Sequence, residues 1–328
     1  MNGLRRWLGA AAVLAATIAA SAEARAQTAV TFMLDGAALG RHAAWYVALE
    51  KGYYKRAGLD VTIVPGQGPA QALQGVESKA AQFALSDVAS LVAARAAGAS
   101  AKMVAEIEQK SPHAIFSLRS GANVSKPQQL ENQEIGSGKG SGGRKVIEAF
   151  MTSTGLKPET VKYIDIDPAA GFDMLAAGKI PAIETSATSM PAVMKAVGVQ
   201  NAQIFLLANN GLALYGNGIV TREDYIKANA AQVKAFVKAS LEGWKDTVAN
   251  PREAADIVSR SVKGLDPDAT FQEVAIVSGL VATPEARAKG LGLIDAKQMA
   301  ASVDLIAKGT DSKAVYDLTA LPQPPIKP

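Results

Sequence analysis

The 328-residue chain has no cysteine and only two histidines, His42 and His113. Without cysteine there is no disulfide framework and no thiol on which a lipid anchor could be built behind an export signal. Two histidines cannot make the usual multi-histidine metal cluster, and no carboxylate-rich loop of calcium type is present. No G-x-S-x-G elbow occurs, and Ser86-Asp87 without a nearby histidine motif is no evidence of a triad. No catalytic residue, metal or cofactor is therefore assigned. A strong charge excess is also missing. The formal net charge is +4, falling to about +2 once the N-terminal segment is set aside, and no basic stripe suited to nucleic acid stands out. Beyond that segment no stretch is apolar enough to span a membrane.

What is present begins at the N-terminus. Arg5 and Arg6 supply a positive start, Trp7 to Ala20 is almost unbroken apolar sequence, and Ala24-Arg25-Ala26 is an A-x-A cleavage site. Residues 1–26 read as a signal peptide of ordinary Sec type, removed after Ala26, so that the mature chain starts at Gln27 in the periplasm. The apolar stretch is shorter than the roughly 20 residues of a spanning helix. Cutting there leaves 302 residues, enough for two domains at ~100–200 residues each.

From Gln27 short β-like runs alternate with amphipathic helices, the mark of an α/β architecture. Strands are expected at Val30–Leu34, Asp60–Val64, Gln82–Leu85, Lys102–Glu106 and Ala114–Leu118. A second series follows at Glu134-Ile135, Val161–Ile166, Ala182-Ile183 and Ile204–Leu207. After Gly216-Asn217-Gly218 the chain becomes mostly helical. Val233, Phe236, Val237, Leu241, Trp244 and Val248 form one helical face, with Trp244 expected in the core. Asn250-Pro251-Arg252-Glu253 restarts a helix with an N-cap, Pro at N1 and Glu at N3. The proline-rich end from Leu321 reads as an irregular surface arm. Two βαβ series and a helical return suggest two lobes crossed twice by the chain, near Ser117–Gly121 and near Gly211–Gly218. Lobe one comprises 27–118 and 213–328, and lobe two 119–212. The carboxyl ends of both sets of strands then face one cleft, where ligands bind in such folds.

The run from His42 through Trp45-Tyr46, Gly52-Tyr53-Tyr54 and Gly58 to Asp60-Val61 resembles the opening of the NMT1/THI5-like solute-binding proteins, relatives of the taurine, alkanesulfonate and nitrate binders. Pro65-Gly66-Gln67-Gly68, Gln82 to Asp87 and Leu214 to Thr221 look like later landmarks of that family. The resemblance covers essentially the whole mature chain. It implies a type II periplasmic-binding-protein fold and delivery of a solute to an ABC permease at the inner membrane. The sequence departs from the pattern at Asp35-Gly36, where thiamine-pyrimidine binders often carry an aromatic residue. Fungal members that make pyrimidine resemble a cysteine-rich iron site joined to a histidine, an activity this cysteine-free chain cannot have.

Residues on the expected cleft loops are the candidate solute contacts: Asp35, His42, Gln67, Gly68, Ser86, Asp87, Ser137, Gly138, Ser141, Asp167, Glu184 and Tyr215. Several have a plainer alternative. Ser86-Asp87 can cap the following helix, His42 can cap its own, Asp167-Pro168 is a turn, and Glu184 can be a surface acid. His113 reads as structural. Gly138-x-Gly140-x-x-Gly143 matches the dinucleotide fingerprint, but such a fingerprint usually opens a domain and this chain is exported. A simple loop and a ligand-contacting helix N-terminus are the other readings. Near Ser137, Gly138 and Ser141, Lys139 and Arg144 favour an acceptor group on the solute. Asp35, Asp87, Asp167 and Glu184 favour N–H donors. The expected solute is a compact, planar molecule with donors at one end and an acceptor at the other, an aminopyrimidine first and an amino-sulfonate of taurine type second. The binding protein is expected to act as a monomer. A module feeding a sensor, or a periplasmic enzyme, are the rival readings.

Overall fold

The computed structural model describes residues 27–138 and 142–328. The signal segment and the Ser141 contact expected above lie outside them. Among the described residues ten strands form two five-stranded sheets. The first sheet holds β1 (Thr28–Met33), β2 (Leu59–Val64), β3 (Phe83–Asp87) and β4 (Ala101–Glu106), together with β10 (Asn217–Arg222), in the order β2-β1-β3-β10-β4. The second holds β5 (His113–Leu118), β6 (Glu134–Gly138), β7 (Lys162–Ile166), β8 (Ala182–Ser186) and β9 (Ala202–Leu206), ordered β7-β6-β8-β5-β9.

The two sheets are built alike. In each, four strands run parallel, and one antiparallel strand sits fourth in the order. That fourth strand is the first one the chain makes after changing sheets: β5 on the way out and β10 on the way back. The expected first crossing near Ser117–Gly121 is thus corrected. His113 to Leu118 pairs with β8 and β9, so the crossing lies at 107–112 and β5 belongs to the second sheet. Its apolar run reads as a strand but carries nothing that says which sheet it joins. The chain returns between Leu206 and Asn217. β10, buried at every residue, occupies sequence expected to open a helical region.

The helices follow from caps and periodicity. The longer ones are α1 (Ala43–Glu50), α2 (Pro69–Glu77), α3 (Val88–Ala96), α4 (Gly142–Ser153), α5 (Pro168–Ala176), α6 (Met190–Val197), α7 (Ala230–Ala249), α8 (Pro251–Ser261), α9 (Pro267–Val281) and α10 (Ala296–Ile306). Asn250 accepts the Glu253 amide and Pro251 takes the first turn of α8, as an N-terminus of this kind requires. α7 lays Val233, Phe236, Val237, Leu241 and Trp244 against the first sheet, all buried. Phe236 stacks on Phe83 at 4.0 Å and 7°, and Trp45 meets Phe32 at 4.8 Å and Trp244 at 5.7 Å. Each such ring contributes about 1.5–3 kcal/mol by burial, so this cluster fixes the helical return to the first sheet.

The lobes also touch. One apolar cluster runs from Val88, Leu91, Val92 (α3), Met299 and Val303 (α10) to Val146, Ile147 and Phe150 of α4 under the second sheet. Ile276 of α9 packs into the second sheet's own cluster beside Met190 and Leu206. Among the described residues no helix is long and apolar enough to cross a membrane.

Candidate functional site

The carboxyl ends of the parallel strands point to the seam between the sheets, and charged side chains collect there. Asp35 follows β1. Its loop is pinned by Gly66, which donates its amide to the Gly36 carbonyl and where any β-carbon would collide with the Leu34 carbonyl. The Asp35 carboxylate accepts Arg41 Nη1 on both its oxygens, at 2.8 and 2.6 Å, and His42 Nε2 at 2.8 Å. His42 Nδ1 accepts the Leu39 amide at 3.1 Å, which leaves the ring proton on Nε2. Burial would raise the Asp35 carboxyl, but the Arg41 charge and the His42 and Arg41 hydrogen bonds outweigh it and hold it far below the usual range. Burial and the Arg41 charge push His42 down to about 4. His42 is therefore a neutral, fully buried brace for Asp35.

Asp87 ends β3 and caps α3, accepting the Ser90 amide at 2.6 Å and the Ser90 hydroxyl at 2.9 Å. Burial raises its carboxyl despite these bonds. Glu108 stands on the first crossing. Its Oε2 accepts the Asn217 amide at 3.2 Å and the Asn217 side chain at 3.1 Å. Gly216 passes so close that a β-carbon there would lie 2.6 Å from Oε2. Burial first, and the Asp35 charge against the Asn217 bonds, push Glu108 up to about 7. Glu106, the last residue of β4, is fully buried, and neither carboxylate oxygen has a hydrogen-bond partner. Burial and the charges of Glu108 and Asp87 push it well above the carboxylate range.

From the second sheet, Glu184 of β8 pairs with His113 Nδ1 at 2.8 Å and accepts the Ser137 hydroxyl at 3.1 Å. A β-carbon at Gly143, in the first turn of α4, would collide with the Glu184 carboxylate. This glycine of the Gly138-to-Gly143 pattern thus has a packing reason. Burial alone would lower His113, but the Glu184 bond and the charges of Glu184, Asp87 and Glu108 raise it. That list of partners ties the two lobes together: His113 of the second sheet feels Asp87 of the first and Glu108 of the crossing.

The candidate residues therefore divide. Asp35, Asp87, Glu184 and Ser137 gather at the seam with their hydrogen-bond partners. Ser86 is buried beside them, its hydroxyl donating to the Pro69 carbonyl at 3.3 Å, and Gly138 ends β6. Gly68 caps α2 with φ 127°, where glycine is required. Gln67 and Asp167 are exposed. Tyr215 is placed differently from expectation. It is 1% exposed within the apolar cluster, and its hydroxyl accepts the Asp295 amide at 3.0 Å. Arg144, expected beside an acceptor group of the solute, is paired with Asp165 and donates to the Ser137 carbonyl at 3.1 Å. His113, expected to be structural, is in the charged group. Arg41, Glu106, Glu108 and Asn217 were not anticipated, although a glutamate closing the apolar run Met103–Ala105 was a visible signal. Among the described residues no group of three or more His, Asp or Glu could hold a metal ion.

Two sheets of like topology with charged groups at their shared seam can be set against known proteins. The sequence model described as NMT1/THI5 like matches residues 40–254. The chain belongs to this family. Among curated relatives, the riboflavin-binding protein RibY of Chloroflexus aurantiacus is 31% identical over 221 residues, 66% of this chain and 61% of that protein. The chain thus spans about three fifths of that relative's length. A formylaminopyrimidine-binding protein of Halalkalibacterium halodurans is 25% identical over 70% of this chain and 69% of its own. A 4-amino-5-hydroxymethyl-2-methylpyrimidine phosphate synthase of Saccharomyces cerevisiae is 23% identical over 69% and 68%. In fold, the alkanesulfonate-binding protein SsuA of Xanthomonas axonopodis pv. citri superposes with TM-score 0.66 at 16% identity, covering 89% of this chain and 98% of that one. The family member described here has the two-lobed type II periplasmic-binding-protein fold.

Proposed function

We propose that this protein is the solute-binding component of an ABC importer. In this reading it is exported, trimmed after Ala26, and carries a small organic solute as a monomer through the periplasm to an inner-membrane permease. The observation that carries the reading is the convergence of Asp35, Asp87, Glu108 and Glu184–His113 from both sheets and the crossing onto one seam. A solute held there bridges the lobes and favours their closed arrangement, which is the state a permease can distinguish. The acids suit N–H donors. An aminopyrimidine is the leading solute, supported by the formylaminopyrimidine-binding relative; an amino-sulfonate of taurine type is second, supported by the fold of SsuA. The synthase relative raises an enzymatic reading. The absence of cysteine speaks against it, and so does the partnering of each histidine with a carboxylate.

Denaturing protein purified from its native host and identifying the released small molecule by mass spectrometry tests the proposal. A nitrogen-bearing solute at near one per monomer is expected, with a matching rise in thermal midpoint when it is added back. Recovery of no solute, with turnover of an aminopyrimidine instead, would overturn it.

A further inference from the structure

Apart from Glu106, which is fully buried with neither oxygen bonded, the other seam acids have a cation beside them or a donor on each oxygen. Asp35 is neutralised by Arg41 at 2.8 and 2.6 Å, Glu184 by His113 at 2.8 Å, and Asp87 is capped by Ser90. Glu108 differs. Its Oε2 receives only the neutral amides of Asn217, and it sits where the two crossings are stapled together. Ile107 and Glu108 both donate their amides to the Asn217 carbonyl, and Gly216 donates to the Glu108 carbonyl. We propose that Glu108 reads the charge of the solute: the cleft takes a cation, such as an amidinium or a protonated aminoheterocycle, and binds it with release of one proton from Glu108. This deepens the solute-binding reading and rests on it.

Charge bookkeeping around Glu108 supports the choice. The acids facing it are Asp35 on the first-lobe loop and Glu106 at the end of β4; the cationic groups are Arg41 and His113. Glu273 of α9 lies beyond, against Arg41. Arg41 is spent on Asp35, and His113 on Glu184. Behind Glu108, Glu106 adds a second acid with both oxygens unbonded and no exposure. Cross-strand register puts Glu106 on the same sheet face as Gly218 and Ser86. An anion entering this group would find no free cation, since Arg41 and His113 are already paired, and would oppose ionisation of Glu108. A neutral solute would leave Glu108 protonated, with one oxygen a donor. A cation removes the need for that proton: the O–H bond breaks, the proton passes to solvent, and the carboxylate accepts the solute's N–H groups. Because Glu108 lies at about 7, this exchange falls within the working pH range.

Two probes of matched shape separate the possibilities: benzamidine, a cation throughout pH 6–8, and benzamide, its neutral counterpart. Titration calorimetry of the full mature protein should show benzamidine binding about tenfold tighter at pH 8 than at pH 6, as expected when only the ionised carboxylate binds. Near pH 6, buffers of different ionisation enthalpy should reveal release of close to one proton. Benzamide should bind weakly and without a pH slope. Glu108→Gln keeps an oxygen for Asn217 and should abolish both the slope and the proton release. Equal binding of the two probes, no benzamidine binding, or a slope that survives in Glu108→Gln and so belongs to His113, would each overturn the proposal. A protein that carries a solute from its host yet ignores benzamidine fails this inference alone; one that carries none fails the solute-binding reading.

Discussion

Glu108 should also leave a signature in stability without any ligand. Its carboxyl moves from an ordinary 4.5 to about 7 in the fold, and each pH unit of such a change corresponds to about 1.4 kcal/mol. Keeping it ionised in the native state therefore costs about 3 kcal/mol. The sign follows from proton counts. Below about pH 4.5 both folded and unfolded chains hold the proton, and this group contributes no slope. Between about 4.5 and 7 the native state keeps the proton while the unfolded state has lost it, so stability falls as pH rises. Above about 7 both are ionised and the cost is constant. Glu108→Gln has no proton to lose. Relative to wild type, it should become more stable by about 3 kcal/mol between pH 4.5 and pH 8, whatever its offset at pH 4.5. Urea denaturation at pH 4.5, 6 and 8 measures this, because titrating groups away from Glu108 cancel in the difference. A difference between the two proteins that stays constant across that range would refute the reasoning.

Two further substitutions test the groups on either side of Glu108. Arg41→Met leaves Asp35 buried without its cation and should cost about 3–5 kcal/mol in urea denaturation. His42, relieved of the Arg41 charge, should titrate above about 4 when followed by NMR. Gly143→Ala pushes a β-carbon into the Glu184 carboxylate and should cost about 1–3 kcal/mol by calorimetry. The loosened Glu184 should let the raised His113 titration fall back towards 6.5.

Much of the fold could be read because its signals are local. Strands β1 to β4 and β6 to β9 announce themselves as short apolar runs bounded by turns, and α7 by the spacing of Val233, Phe236, Leu241 and Trp244. What could not be read depends on partners distant in sequence. β5 looks the same whichever sheet it joins, and only its pairing with Ile183, 67 positions beyond Phe116, decides the matter. β10 occupies sequence whose neighbours after Gly218 read as mostly helical. Buried between β3 and β4, Asn217-Gly218 supplies an amide for Glu108 and a close approach for Met103.

The same logic governs the site. Asp35, Asp87 and Glu184 could be named because they follow or end apolar strands, and ligand crevices form at such ends in open α/β sheets. Glu108 and His113 could not be chosen over other charged residues, because their partners Asn217 and Glu184 are distant in sequence, whereas Arg41 pairs locally with Asp35. A crossing segment reads as a polar loop, Glu108-Gln109-Lys110-Ser111-Pro112, and loops ordinarily lie on the surface. Here the two crossings lie side by side and satisfy one another: Ser111 donates to the Leu214 carbonyl and Gly216 to that of Glu108. Backbone groups that would otherwise need water are paired, so the segment can be buried, and its side chains are brought into the seam. One of the seam acids, Glu108, is therefore carried by a segment that joins the lobes. On the proposed reading, a solute held at Glu108 would act on that joining segment directly, without any intervening relay.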